Sequence, residues 1–271
     1  MTTFSIKKSQ QQPLLGVANS IWKNHGYDPI KTILFAQTHR FDLTQIYLSS
    51  QLINDAITCR KIAKTAAFHK IPLIFHAPDE AIINNHIQKQ FSRCIRNFFT
   101  PNICMDGIPV IVWHILEKAG HASIMKFQHF LKKEGFLSAP ENMTRIEKNE
   151  TKTQAPKTLE LLWNDTCNIP VLDLPRYFLT NGFEKSEKSA CNAIEKINTV
   201  QKVIIHLIDT RTHAGNRNDW TEPGKGIIPW CHFFEKIQQK ALIRAVILEY
   251  EDRILSLNAQ QWLRMQFGIP G

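Results

Sequence analysis

A short apolar run followed by a helix-like segment recurs eight times along this chain of 271 residues. The runs are PLLGVANSI (13–21), LTQIYLSS (43–50), IPLIFHAP (71–78), IPVIVWHIL (108–116), MTRIEKNE (143–150), IPVLDLPRYF (169–178), KVIIHLID (202–209) and RAVILEYED (244–252). Segments such as NDAITCRKIAKTAAFHK (54–70) and PWCHFFEKIQQKA (229–241) separate them. Strands buried on both faces of a parallel sheet read as unbroken Val/Ile/Leu-rich runs, and several of these do. Strict alternation of strand and helix argues for a parallel α/β fold. Eight units in about 250 residues suit a closed (β/α)8 barrel. We assign one such domain to residues 14–271 and a flexible polar lead-in to residues 1–13. The competing arrangement is an open, doubly wound sheet. Neither G-x-G-x-x-G nor G-x-x-x-x-G-K-[ST] occurs, so a nucleotide-binding fingerprint is missing. The polar stretch SAPENMTRIEKNETKTQAP (138–156) resembles a strand only in its middle.

Composition narrows the function classes. No apolar run approaches the roughly 20 residues that span a bilayer, and the start MTTFSIKKSQQQPLLG lacks the apolar core of a signal peptide. The six cysteines contain no C-x-x-C pair, which fits reduced thiols in a cytoplasmic protein. The formal net charge is +9. Such an excess attracts polyanions and is compatible with nucleic acid or a phosphorylated substrate. The basic residues are spread along the chain, so any patch must be made by the fold.

Most of the later runs carry a metal-binding side chain at or near the end. His76, His114, Glu147, Asp173, His206 and Glu249 fall on strands three to eight, and the loop after strand seven adds Asp219. A parallel barrel gathers its strand C-terminal ends around one opening, so these residues can converge. Imidazoles and carboxylates are the ligand set for zinc or manganese. Arg176 either holds a substrate phosphate or carboxylate or forms an ordinary ion pair with Asp173 or a surface acid. Lys225, in PGKGIIPW (223–230), either faces an anion or belongs to a structural turn. Arg217 in GNRND is a further candidate for anion binding.

These segments resemble the endonuclease IV branch of the xylose isomerase-like TIM barrels, from about Gly16 to Glu249. QIYLSSQ is similar to that branch's second-strand pattern, IFHAPDEAIIN to its H-A-P-x-L-I-N, and GIPVIVWH to its fourth strand with a metal histidine. IEKN resembles its bridging-glutamate strand. VLDLPR stands where the branch has D-x-x-H, HLID and GNRND resemble H-x-N-D and G-S-x-x-D, and ILEY resembles its last metal glutamate. The resemblance implies two metal ions, zinc or manganese. His76, His114 and Glu147 would hold one. Glu147, Asp173, His206 and Glu249 would hold the other, with Glu147 bridging. A third ion is not implied, because Arg176 and Thr221 replace two histidines and only Asp219 remains; His213 is the one substitute in reach. The tyrosine that follows H-A-P in the branch is Asp79, and P-G-S after the fourth strand is Ile115, Leu116 and Glu117.

Three functions follow from that likeness. The first is a metal-dependent phosphoesterase acting on a phosphate-containing substrate, with cleavage of DNA at abasic sites its most specific form. The second is a sugar or sugar-phosphate isomerase or epimerase, with one metal on Glu147, Asp173, His206 and Glu249 and with Glu147 and Glu249 exchanging the proton. The third is a non-catalytic binding protein on the same scaffold.

Overall fold

The computed structural model describes residues 12–116, 119–142, 155–178, 183–197, 202–213 and 217–270. Eight strands, β1 (Leu14–Ala18), β2 (Leu43–Tyr47), β3 (Leu73–His76), β4 (Val110–His114), β5 (Leu137–Glu141), β6 (Val171–Asp173), β7 (Lys202–Leu207) and β8 (Leu242–Leu248), pair in parallel. Each lies beside its neighbour in sequence, and β1 closes on β8, giving a barrel. Eight helices alternate with them: α1 (Pro29–Thr38), α2 (Ala56–His69), α3 (Asn85–Phe98), α4 (Gly120–Lys133), α5 (Ala155–Asn164), α6 (Phe183–Glu195), α7 (Trp230–Lys240) and α8 (Arg253–Phe267). The fold is therefore the (β/α)8 barrel that the alternation implied. Among the described residues, no helix is long and apolar enough to cross a membrane.

Two apolar layers hold the barrel. The lumen is filled by Leu43, Ile74, Val110, Val112, Val171, Ile204 and Ile247 with their neighbours. Gly16 lies in that layer because there is no room for more. A Cβ there would stand 2.5 Å from side-chain carbons of Ile247 and Leu43. The larger layer lies between strands and helices and includes Phe75, Phe91, Trp113, Trp163, Trp230 and Phe233. Local signals set several helix starts. Asp28, Asp55, Asn84 and Asp252 each accept backbone N–H groups at an N-terminus. The Asn84 cap separates a short turn, Glu80–Ile83, from α3.

The fifth strand departs from expectation. The run MTRIEKNE (143–150) lies outside the described residues, and the strand that pairs with β4 and β6 is Leu137–Glu141. Its sequence, LSAPE, has no apolar periodicity because its neighbours supply the bulk. The Trp113 indole donates to Ser138 Oγ at 2.9 Å, and the Trp163 indole donates to the Pro140 carbonyl at 2.9 Å. Small residues in β5 leave space for those two rings. Asn142 continues the pairing with its side chain. Its amide donates to the Asp173 carbonyl and its Oδ1 accepts the Asp173 N–H, both at 2.8 Å.

Candidate metal centre

Barrel closure places five strand ends around one buried carboxylate, Glu141. His76, His114, Glu141 and Asp173 end β3, β4, β5 and β6, His206 is the penultimate residue of β7, and Glu249 follows β8. In register, His114 lies beside Glu141 and Asp173 beside His206. Glu141 Oε2 is 3.4 Å from His76 Nε2 and 3.5 Å from His114 Nε2. Its Oε1 is 3.4 Å from His206 Nδ1, which is itself 3.3 Å from Glu249 Oε1. Two sets of donor atoms thus share Glu141. Within His76–His114–Glu141, and within Glu141–Asp173–His206, the ligating atoms lie within 4.8 Å of one another.

Each imidazole is oriented by a bond on its other side. His76 Nδ1 is 3.0 Å from the Ala77 carbonyl, His114 Nδ1 is 2.8 Å from Asp79 Oδ1, and His206 Nε2 is 3.0 Å from Gln45 Oε1. All three partners are acceptors, so each outer nitrogen carries the proton and donates it. A divalent cation that displaces any proton from the inner nitrogen then meets its lone pair. Gln45 also donates from Nε2 to Glu249 at 2.9 Å and so fixes the two ligands together. The residues therefore fit a divalent ion. Glu141 Oε2 and His206 Nδ1 are buried without a hydrogen-bond partner, a costly state that a metal would relieve.

The electrostatics match this layout. Burial alone would raise the Glu141 carboxyl, but the imidazoles of His206 and His114 outweigh it and hold Glu141 well below the ordinary range. Burial alone would lower His206, but the Glu249 and Glu141 carboxylates raise it to about 9. Burial pushes Asp173 up to about 7 against the opposing charge of Arg176.

Arg176 enters the cluster by a local device. In D-L-P-R the Asp173 carboxylate accepts the Arg176 N–H at 3.3 Å and so caps the short helix Pro175–Phe178. That turn folds the Arg176 side chain back over the site. Its Nε pairs closely with Asp173, and Nη2 lies 3.3 Å from Glu141 Oε1 and 3.4 Å from His114 Nε2. A cavity of about 500 Å³ opens above, walled by Tyr27, Tyr47, Trp220, Arg176 and Glu249.

The structure thus brings His76, His114, Asp173, His206, Glu249 and Arg176 together and leaves other candidates apart. Glu147 lies outside the described residues, and the strand-end position expected for it belongs to Glu141. Asp219 sits in the turn Arg217–Asp219, between the hairpin strands Asp209–Thr210 and Trp220–Thr221. Its carboxylate accepts the Thr212 hydroxyl at 2.6 Å, and it is in neither ligand set. The Arg217 side chain is outside the described atoms. His213 Nδ1 is 2.6 Å from the Phe178 carbonyl. Lys225 is exposed and pairs with Glu222 at 2.7 Å. PGKG is instead organised by Asp209, whose buried carboxylate accepts the N–H groups of Gly224, Gly226, Ile228 and Thr210. Glu141, Asp79 and Gln45 were not among the expected ligands or their supports. Asp79 and Gln45 lay within quoted motifs, and the only signal for Glu141 was a carboxylate between two strand-like runs.

The comparisons agree with the barrel. No protein-family model matches the chain, and no curated protein matches it. Solved structures do. A D-tagatose 3-epimerase-like protein superposes with TM-score 0.63 at 14% identity, over 94% of this chain and 97% of the other. The IOLI protein, with a zinc atom, gives 0.60 at 17%, over 93% and 95%. A xylose isomerase-like TIM barrel/4-hydroxyphenylpyruvate dioxygenase fusion protein gives 0.62 at 16%, over 94% of this chain and 42% of that one. What the chain shares with them is the closed (β/α)8 barrel. At these identities the likeness speaks for the fold alone, and the chain spans less than half of the fusion protein.

Proposed function

We propose that the chain is a divalent-metal-dependent hydrolase of phosphate esters. One observation carries this reading. His76 and His114, each oriented by an acceptor on its outer nitrogen, aim their inner nitrogens at the same oxygen of the buried Glu141. Two imidazoles and a carboxylate with an open side are a donor set found in hydrolytic zinc sites. A metal ion held there supplies Lewis acidity and makes water a nucleophile near neutral pH.

The chain's own residues complete the arrangement. Arg176, on the cavity wall, presents a planar cation suited to a phosphate. Glu249, held by Gln45 and facing the same cavity, is placed to take and return a proton. Tyr27, Tyr47 and Trp220 line the cavity beside the cluster. A cavity of about 500 Å³ suits a small phosphorylated molecule or a single everted nucleotide.

The test is turnover of aryl phosphate mono- and diesters and of a duplex with an abasic site, using protein reloaded with zinc or manganese. Activity lost in His114→Ala supports the proposal. No turnover of any of the three by protein that holds metal would refute it.

A second reading is a one-metal isomerase or epimerase on Glu141, Asp173, His206 and Glu249. The proximity of His206 Nδ1 to both Glu141 and Glu249 favours it, as does the likeness to an epimerase-like protein. Under that reading His114→Ala leaves metal binding intact, and a ketose substrate exchanges a carbon-bound proton with solvent.

A further inference from the structure

We infer that Arg176 is a resident cation that takes the place of the second metal ion, so that the chain binds one divalent ion, on His76, His114 and Glu141. The inference rests on the reading of the site as a metal centre. The two ligand sets are unequally engaged by the guanidinium. Arg176 Nε pairs with Asp173 and Nη2 lies 3.3 Å from Glu141 Oε1, so two of the three residues in the Asp173 set already serve a positive charge. In the histidine set, Nη2 reaches His114 Nε2 at 3.4 Å and touches the shared Glu141 only through Oε1, while Oε2, the oxygen that faces His76 and His114, remains without a hydrogen bond, as His206 Nδ1 does in the other set. An ion on His76, His114 and Glu141 needs one weak contact broken. An ion on Glu141, Asp173 and His206 must displace a close ion pair.

Charge balance leads to the same result. The carboxylates of Glu141 and Asp173 pair with the guanidinium of Arg176, and that of Glu249 lies 3.3 Å from His206 in the same cluster. Asp79, on the outer side of His114, is partly exposed; with His206 neutral, one divalent ion and Arg176 match the three carboxylates of the cluster itself. A second divalent ion would leave the buried cluster with two excess positive charges, which is costly in a medium of low polarity. Arg176 cannot relieve this by losing its proton, as a lysine or histidine would. The capped turn at Asp173 keeps it in place.

This predicts a stoichiometry set by one side chain. Protein stripped with a chelator is titrated with zinc by calorimetry, and zinc per chain is measured after gel filtration. The wild type binds one equivalent, lost in His114→Ala and retained in His206→Gln. Arg176→Met binds two. Arg176→Lys, which keeps a charge but not the planar fork, binds the second ion with an affinity below that of Arg176→Met and carries the same comparison if the Met variant does not fold. Equal stoichiometry and affinities in wild type and both Arg176 variants would overturn the inference while leaving a metal centre. So would a single wild-type ion that depends on His206 and not on His114. Failure of every form to bind zinc would overturn the metal centre as well.

Discussion

The Asp79 carboxylate accepts the Nδ1–H of His114 at 2.8 Å. The bond holds His114 in the tautomer whose Nε2 faces Glu141, and in return the imidazole keeps Asp79 below its ordinary value in spite of partial burial. Carboxylate–imidazole pairs of this kind orient a metal ligand and raise its basicity. Asp79→Ala is therefore expected to weaken zinc binding about 10- to 100-fold, read by competition with a chromogenic chelator. Asp79→Asn, which keeps an acceptor, loses less. Equal affinity in wild type and Asp79→Ala would show that the pair orients nothing.

Glu141 belongs to both ligand sets, so no other ligand compensates for its loss. Glu141→Ala is expected to abolish zinc uptake, whereas Glu147→Ala leaves zinc per chain unchanged. Elemental analysis of the two purified variants measures this. The opposite pattern would return the bridging role to Glu147.

Before metal is added, the His206 proton acts as the cation between Glu141 and Glu249, and its pKa is raised from the ordinary value near 6.5 to about 9. A raised imidazole contributes stability that is fully present below about pH 6.5 and is lost as pH rises through about 9. The melting temperature of metal-free wild type is thus expected to exceed that of His206→Gln by most near pH 6. The gap narrows by pH 10. A gap that widens with pH would contradict the assignment of charge.

Gly226 lies against Asp209, and an added Cβ would stand 2.1 Å from Asp209 Oδ1 and 2.5 Å from the Thr210 carbonyl. Gly226→Ala must push the loop off a carboxylate that accepts four backbone N–H groups. A loss of about 2–4 kcal/mol in unfolding free energy is expected, as for other broken buried networks. Lys225→Ala, at an exposed position, is expected to change stability by less than about 0.5 kcal/mol and to leave activity intact. Urea titration of both variants separates a structural turn from an anion site.

The sequence by itself determined the barrel and most of the centre. IPLIFH, IPVIVWH, KVIIHL and AVILE are legible because strands covered on both faces must be apolar throughout. A polar residue at the end of such a run marks the barrel mouth. For that reason His76, His114, Asp173, His206 and Glu249 could be expected near one opening from their places at the ends of the runs. Tertiary structure alone decided the fifth strand. LSAPE is small and interrupted by proline because Trp113 and Trp163, 25 and 23 residues away from their partners, provide its packing. A local pattern does not carry volume supplied by other segments. The same reason hid the roles of Gln45, which meets His206 across 161 residues, and Asp79, which meets His114 across 35. Whether Arg176 faced solvent or the ligands depended on the turn that Asp173 caps and on where closure put Glu141. Those contacts form only when the ends of β4, β5 and β6 are brought side by side.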